Sequence, residues 1–365
     1  MADDTTYFKS QVNNYCNRAV LNQFFNRLLI RWTGKLTYTT KIEASGYYLP
    51  QRKVTAAEID HRLGKPAGWA EAKHGLSCRY YAEEESAISM AATAVHRALK
   101  RSKIEITEID TIVGASGVTH QPIPCSAALL QKELRLGKSG VPCFDINATC
   151  LGSITALEVA AQRIELGLSR RVLIFTADKA SVGIDWTKGY LAPLFGDGAA
   201  AWILSQGDAT SQIDYISMAT FGDYASAAQL RSGGTAVKFD EKQLDEFAAG
   251  SLFEMDGKAL FRLVLEKMPD FLDELFERSG TSLNDIDCII PHQASRHGLD
   301  HLLKYFGVGR EKVIDIFAEF GNQIATSIPT ALAVGVEKGR INRGDHLLLI
   351  GTGAGLSLSG TVLRY

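Results

Sequence analysis

The stretch Phe144-Asp145-Ile146-Asn147-Ala148-Thr149-Cys150-Leu151-Gly152-Ser153 contains the change of pattern around which the chain is organised. Its short apolar run predicts a buried strand that ends just before Cys150. Apolar residues then recur at helical spacing, at Ile154, Leu157, Ala161 and Ile164. Gly167 follows where a helix C-cap is expected. The pattern therefore places Cys150 at or beside a helix N-terminus.

Cys150 has two interpretations at this point. The unpaired backbone N–H groups and the positive end of a helix dipole stabilise a thiolate, which is the nucleophilic form of cysteine. The alternative is a buried and inert cysteine, because free cysteine is among the residues most often buried. The stretch alone leaves both open, so the choice depends on partners elsewhere in the chain.

Length and composition bound the class of protein. The 365 residues are 46% hydrophobic, which is enough for a large core and for two domains or a duplicated one. The formal net charge is -2, so no global field attracts nucleic acid or an anionic membrane. Six scattered cysteines without CxxC pairs argue against structural zinc and a disulfide framework. With no signal-peptide pattern and no bilayer-spanning apolar run, we expect a soluble cytoplasmic protein.

Residues 1–38 differ from the rest of the chain. An apolar stripe lies among arginines at Val20, Leu21, Phe24, Phe25, Leu28 and Trp32. This pattern fits a basic amphipathic helix on a membrane or a partner, but such stripes usually pack on protein, so we favour a docked extension. The folded body is expected to begin at residue 39.

Two parts of the chain carry the same pattern of a helix, a short polar link and a β-branched strand. They lie at residues 83–114 and 271–291. Because they occupy comparable places, they predict an internal duplication with halves at 39–208 and 209–365. Alternating strands and helices make each half an α/β layered unit.

Two polar residues stand where α/β folds place functional groups. His292 directly follows the strand that ends near Ile290, and ligands bind at the carboxyl ends of such strands. It suits a general base or a hydrogen-bond donor, with a structural role as the alternative. Asn322 lies between Gly321 and a new helix, where a cap is its simplest role. His292 and His297 lack metal-ligand spacing, so we expect no metal.

Two glycine-rich segments complete the set of motifs. Phe195-Gly196-Asp197-Gly198 is interpreted as a structural turn into a strand. Gly351-Thr352-Gly353-Ala354-Gly355 joins two predicted strands near the end of the chain. Without a following helix or lysine, this second segment does not match a dinucleotide or P-loop site.

In order and spacing, the motifs resemble the β-ketoacyl-acyl-carrier-protein synthase III family. The resemblance covers residues 39–365 and rests on the segments around Cys150, Gly196, His292, Asn322 and Gly353. It implies a duplicated thiolase-like fold, layered α-β-α-β-α with two mixed five-stranded sheets. It also implies a homodimer.

The resemblance assigns roles to the motif residues. Cys150 becomes the acyl-accepting nucleophile, and His292 and Asn322 hydrogen-bond the thioester carbonyl of a malonyl-type extender as it decarboxylates. The backbone N–H groups of Cys150 and Ala354 form the oxyanion hole. The family needs neither a metal nor a redox cofactor.

The resemblance also marks residues for substrate and carrier binding. In the family a tryptophan and an arginine hold the adenine end of coenzyme A, and here these positions are Trp69 and Lys73. The lysine lacks the planar fork of arginine, which favours an acyl carrier protein over coenzyme A as the donor. Carrier contacts are expected at Lys258, Arg262, Arg296 and His297. The loop at Ile123 is expected to help set the pocket depth.

Two other functions remain open from the sequence. An acyltransferase with the same three residues would pass the acyl group from Cys150 to another nucleophile without decarboxylation. A non-catalytic partner subunit would only bind an acyl carrier, although retention of Cys150, His292 and Asn322 speaks against this.

Overall fold

The computed structural model describes residues 37–365. The amphipathic helix expected near residues 20–32 lies outside the described residues and stays a prediction. Within the described part, no helix is both long and apolar enough to cross a membrane.

Strands and helices alternate along the described chain. The strands are β1 (Thr40–Tyr48), β2 (Arg52–Thr55), β3 (Cys78–Tyr81), β4 (Thr111–Gly114), β5 (Cys143–Asp145), β6 (Arg171–Asp178), β7 (Gly198–Gln206), β8 (Gln212–Thr220), β9 (Ala228–Gln229), β10 (Glu254–Met255), β11 (Cys288–Pro291), β12 (His346–Gly353) and β13 (Ser357–Arg364). The helices are α1 (Ala56–Arg62), α2 (Trp69–His74), α3 (Ala87–Ser102), α4 (Ser126–Glu133), α5 (Gly152–Glu165), α6 (Leu244–Gly250), α7 (Gly257–Ser279), α8 (Arg296–Phe306), α9 (Phe317–Phe320) and α10 (Ser327–Glu337).

Two mixed sheets form the framework, and their strand orders match. The first sheet has the order β1-β7-β6-β4-β5, with its first two pairings antiparallel and its last two parallel. The second has the order β8-β13-β12-β11, with two antiparallel pairings followed by a parallel one. The same series of directions in both sheets confirms the duplicated thiolase-like fold.

The second sheet has four strands, so the expected count of five holds only for the first sheet. The place of a fifth strand is taken by a single parallel bridge between Ile289 and Val313. Beyond it, the side chain of Gln293 donates to the carbonyl of Ile314 (3.1 Å) and accepts from the N–H of Ile316 (3.1 Å). These backbone groups are therefore not available to extend the ladder.

The repeated pattern appears in both halves as a helix, a short 3-10 turn and a strand. In the first half, α3 is followed by the turn Ile106–Glu108 and by β4. In the second half, α7 is followed by the turn Leu283–Asp285 and by β11. Both turns are held by a reciprocal capping box.

Apolar contacts order the layers as expected. Helices α3 and α4 cover the outer face of the first sheet. Helices α5 and α10 lie between the sheets, where Ile154 and Leu157 meet Ile328 and Leu332. Helices α7 and α8 cover the outer face of the second sheet. The loops that precede α5 and α10 thus end in the middle of the molecule.

Candidate active site

Cys150 lies in a 3-10 turn, Thr149–Leu151, that leads directly into α5. Thr149 has a φ of 50°, a region that β-branched residues rarely adopt. Gly152 begins α5 against the end of β4, where an added Cβ would lie 2.3 Å from the carbonyl oxygen of Ala115. The glycine of the motif is therefore needed to bring the Cys150 turn so close to the sheet.

The glycine-rich segment after β12 packs against this turn. Thr149 Oγ1 donates to the carbonyl oxygen of Ala354 (3.3 Å). A Cβ added at Gly353 would come within 2.8 Å of Thr149 Oγ1. The glycines of the segment after β12 thus allow two backbone segments to approach closely, and they do not form a phosphate-binding loop.

His292 follows β11 at its carboxyl end, as predicted. Its backbone N–H donates to the carbonyl of Ile350 on the neighbouring strand (2.8 Å), which fixes the residue to the sheet. A Cβ added at Gly351 would lie 2.9 Å from the Cβ of His292. The imidazole is buried, and its Nδ1 has no hydrogen-bond partner within residues 37–365.

Asn322 is held by backbone bonds on both sides. Its N–H donates to the carbonyl of Leu194 (2.7 Å), and its carbonyl accepts from the N–H of Gly196 (3.1 Å). Its side-chain Oδ1 accepts from the N–H of Ile324 (2.8 Å). The acceptor end of the carboxamide is therefore occupied, which leaves the Nδ2 donor for a ligand in the cavity.

One cavity of about 1270 Å³ brings these residues together. Cys150, His292, Asn322 and Ala354 all line it. Much of its remaining wall is apolar, including Leu194, Phe195, Leu230, Phe253, Leu260 and Phe261. A large, mostly apolar cavity with these polar groups in its wall suits a substrate with a hydrocarbon part and a reacting polar group.

The pKa of the Cys150 thiol is higher than its position beside a helix N-terminus alone predicts. Removal from bulk water raises its pKa to about 12, and the negative charge of Asp178 acts in the same direction. Hydrogen bonds from the backbone N–H groups of Ala354 and Cys150 lower the pKa, but by less. The resting thiol is therefore neutral, because desolvation outweighs the N–H groups.

His292 is also neutral at physiological pH. Burial lowers the pKa of its imidazole to about 4. A neutral imidazole has one N–H donor and one nitrogen that accepts a proton. The site thus combines an uncharged thiol with an uncharged base and donor, rather than a preformed thiolate–imidazolium pair.

Asp178, at the end of β6, is a site residue that the sequence analysis missed. It is fully buried and accepts hydrogen bonds from Val118 N–H (2.8 Å) and from Thr326 N–H (3.0 Å) and Oγ1 (2.9 Å). It therefore joins the loop after β4 to the turn that follows Asn322. Burial raises its pKa to about 6. An acid at the carboxyl end of a strand is the signal that could have found it.

The residues expected to bind substrate or carrier divide into two groups. Lys73, Lys258 and His297 line the cavity, and all three are exposed. Trp69 and Arg262 lie outside the lining, with Trp69 packed edge-on against His74, which does line it (ring centroids 5.1 Å apart).

Arg296 and Ile123 also lie outside the cavity lining. Arg296 forms an ion pair with Asp315 (2.5 Å), a carboxylate that it shares with Arg310 (3.1 Å), and this pairing ties it to the fold. Ile123 is 84% exposed and does not belong to the cavity lining, so within one chain it sets no part of the cavity depth. The neighbouring Gln121 and Pro122 take that place.

Among residues 37–365, no three His, Cys, Asp or Glu side chains lie close enough together to hold a metal ion. The cysteines of this part of the chain are all unpaired.

Comparison with known proteins agrees with the fold and the motifs. The family model described as 3-oxoacyl-[acyl-carrier-protein (ACP)] synthase III matches residues 144–222, and the model of its C-terminal part matches residues 276–365. The β-ketoacyl-[acyl-carrier-protein] synthase III of Coxiella burnetii is 33% identical over 331 residues, which cover 90% of this chain and 100% of that protein.

Solved structures give the same result. The 3-oxoacyl-[acyl-carrier-protein] synthase III of Aquifex aeolicus superposes with a TM-score of 0.79 at 30% identity, covering 89% of this chain and all of that one. The priming β-ketosynthase of the R1128 polyketide pathway superposes with a TM-score of 0.80 at 27% identity, covering 92% and 98%. With such relatives aligned over nearly the whole of both chains, this protein belongs to the β-ketoacyl-[acyl-carrier-protein] synthase III family.

Proposed function

We propose that the protein joins an acyl primer to a malonyl-type extender by decarboxylative Claisen condensation, through an acyl group carried on Cys150. The observation that carries this proposal is the shared cavity, in which a thiol, an imidazole and a free carboxamide donor meet beside two backbone N–H groups. The chemistry makes the protein an acyltransferase as well as a synthase.

The first half-reaction is transfer of the acyl group. The sulfur of Cys150 attacks the carbonyl carbon of the primer thioester, and its proton passes to the neutral His292. The N–H groups of Cys150 and Ala354 stabilise the oxyanion of the tetrahedral intermediate. The carbon–sulfur bond to the carrier then breaks, and the leaving thiolate takes up the proton. Cys150 is left as a thioester.

The second half-reaction forms the carbon–carbon bond. The malonyl thioester loses carbon dioxide, and the electron pair of the broken bond becomes an enolate. Its oxygen accepts hydrogen bonds from the imidazole N–H of His292 and from Nδ2 of Asn322. The enolate carbon attacks the acyl-Cys150 carbonyl, and the carbon–sulfur bond to Cys150 breaks. A β-ketoacyl thioester results, and the Cys150 thiolate takes a proton from solvent.

An acyl carrier protein is proposed as the partner for at least one substrate. The support is an exposed cationic stretch along α7, where Lys258 lines the cavity and Arg262 lies one turn further on. Carriers are acidic, so exposed cations at the cavity mouth would speed their association. Lys73 in place of arginine favours a carrier over coenzyme A as the acyl donor.

We also propose an oligomeric state and a cellular compartment. The resemblance supports a homodimer, and β5 is an edge strand that pairs only with β4 within residues 37–365. Unpaired cysteines support a reducing compartment such as the cytoplasm. The product would serve as the first intermediate of a fatty acid or a polyketide.

The deciding experiment separates the half-reactions. Purified protein is incubated with an acyl-carrier thioester, analysed by mass spectrometry for an adduct on Cys150, and then given malonyl carrier. Loss of the adduct with release of carbon dioxide and formation of a β-ketoacyl carrier supports condensation. Transfer of the adduct to an amine or alcohol without carbon dioxide release would support the acyltransferase alternative instead.

A further inference from the structure

Arg79, on β3, is a buried cation without an acidic partner. The residue is fully buried, and its guanidinium forms no ion pair with any carboxylate of residues 37–365. Burial lowers its pKa to about 10, so it stays protonated at neutral pH. An arginine is rarely buried unless it is paired with a negative charge.

Backbone carbonyls take the place of the missing carboxylate. Nε donates to the carbonyl of Pro193 (2.9 Å), and Nη1 donates to those of Cys78 (2.7 Å), Phe317 (3.0 Å) and Ala318 (3.1 Å). The guanidinium also lies over the Phe317 ring, 4.8 Å from its centroid. Only an arginine can present several donors in a fixed plane to carbonyls on separate segments.

The segments that Arg79 holds are those that hold Asn322. Pro193 precedes Leu194, whose carbonyl accepts from the Asn322 N–H, and α9 ends two residues before Asn322. Gly321 has a φ of 71°, and a Cβ there would lie 2.4 Å from Arg79 Nε and 2.6 Å from the carbonyl oxygen of Leu194. A shift of the guanidinium would therefore move the backbone on both sides of the carboxamide.

We propose that Arg79 is a positioning residue for decarboxylation, fixing the backbone that aims the Asn322 carboxamide into the cavity. The inference rests on the proposed function, because it takes Asn322 to be a donor to the enolate. According to this proposal, Arg79 acts through the planar arrangement of its guanidinium N–H donors, and its positive charge alone is not enough. A misplacement of about 1 Å in a reacting group can cost about 10²-fold in rate.

The test compares Arg79→Lys and Arg79→Gln with the parent in both half-reactions. Lysine keeps the charge and loses the fork, so we expect both variants to release carbon dioxide from malonyl carrier roughly 10- to 100-fold more slowly. Acylation of Cys150, followed by mass spectrometry in a single turnover, should change by less than about threefold. Recovery of carbon dioxide release in Arg79→Lys would show that charge, not geometry, is the property used, and would overturn the proposal.

A double-mutant cycle separates positioning from general damage. In the Asn322→Ala background, Arg79→Lys should cause no further loss of carbon dioxide release, because the group that it aims is gone. If the double variant instead loses carbon dioxide release by the product of the two single losses, the proposal is overturned. If Asn322→Ala alone leaves carbon dioxide release intact, the proposed function of Asn322 fails instead.

Arg343→Lys is the matched control. Arg343 also links segments through carbonyls, donating to those of Ile42 (2.8 Å) and Glu43 (2.6 Å), but it contacts neither Asn322 nor its supports. We expect no selective effect on either half-reaction. Should Arg79→Lys fail to fold, Phe317→Leu removes the ring beneath the guanidinium and is tested by the same readouts. An equal effect of Phe317→Leu on both half-reactions would contradict the proposal.

Discussion

Replacing Asn322 with aspartate tests the role of its carboxamide most directly. Asn322 Oδ1 accepts a hydrogen bond from the Ile324 N–H (2.8 Å), and an aspartate oxygen can accept the same bond. The substitution therefore keeps the local turn and the size of the side chain. It changes only the atom left for the cavity, from an amide nitrogen that donates to a carboxylate oxygen that accepts.

The expected loss has two parts. Removal of one donor from a stabilised oxyanion costs about 10²–10³ in rate, so Asn322→Ala should slow decarboxylation by about that factor. The aspartate adds repulsion, since two unit charges about 4 Å apart repel by about 4 kcal/mol at an effective dielectric constant near 20. If only a third of this energy is felt in the transition state, decarboxylation slows by roughly another tenfold. We therefore expect Asn322→Asp to be at least about tenfold slower than Asn322→Ala near neutral pH.

The measurement is carbon dioxide release from malonyl carrier, alongside single-turnover acylation of Cys150. Acylation should be nearly unchanged in Asn322→Asp, since its proposed oxyanion hole uses other groups. The thermal midpoint should fall somewhat, because the substitution places a carboxylate at a buried position, although the bond to the Ile324 N–H is kept. An Asn322→Asp protein that decarboxylates as fast as Asn322→Ala, or that loses both half-reactions equally, would refute the reasoning.

Four further predictions follow from the site. Cys150→Ala should acquire no acyl adduct by intact-protein mass spectrometry, and labelling at the parent rate would contradict its role. Gly351→Ala should lower the free energy of unfolding by about 1–3 kcal/mol, measured in urea, because its Cβ would meet His292 (2.9 Å). In the pH profile of carbon dioxide release, His292 should cause a fall only as pH approaches 4, because its lowered pKa of about 4 keeps it neutral above that, whereas a change near pH 6 would come from Asp178, whose pKa burial raises to about 6. Arg262→Ala should lower kcat/KM for acyl carrier but not for acyl-coenzyme A, with a weaker salt dependence.

The motifs predicted the nucleophile turn and the ends of the key strands because these depend on local sequence. The apolar spacing after Cys150 located α5, and the β-branched run before His292 located β11. That the second sheet has four strands instead of five could not be predicted this way. Residues Val313 to Ile316 have strand-like composition, but the side chain of Gln293, which is distant in sequence, occupies the carbonyl of Ile314 and the N–H of Ile316. Pro291 on β11 also has no N–H with which to continue the ladder.

The pKa of Cys150 shows a different limit of sequence reasoning. The helix N-terminus is a local feature, but the backbone N–H groups that lower the pKa of the thiol are those of Cys150 itself and of Ala354, which lies on a distant segment. Desolvation and the charge of Asp178 have the opposite effect and depend on how distant segments pack. Likewise, the resemblance marks Arg296, next to His297, as a carrier contact, but Arg296 pairs with Asp315, which lies on another segment.

The duplicated architecture explains why the reacting groups meet. Cys150 precedes α5 and Asn322 precedes α10, so the two residues occupy corresponding places before the two central helices. Cys150 lies within a short 3-10 turn and Asn322 just before one, and each turn opens with a β-branched residue at positive φ, Thr149 at 50° and Ile324 at 54°. Such residues typically cost about 1–3 kcal/mol each and persist where surrounding contacts enforce them.

Bonds between the halves provide that enforcement. Thr149 in the first half donates to Ala354 in the second, and Asp178 in the first accepts from Thr326 in the second. Each turn is thus held by a residue of the other half rather than by its own helix. Neither the nucleophile nor the carboxamide can then keep its geometry unless both sheets are folded and packed together, which makes the complete duplicated fold the smallest unit able to carry out both half-reactions.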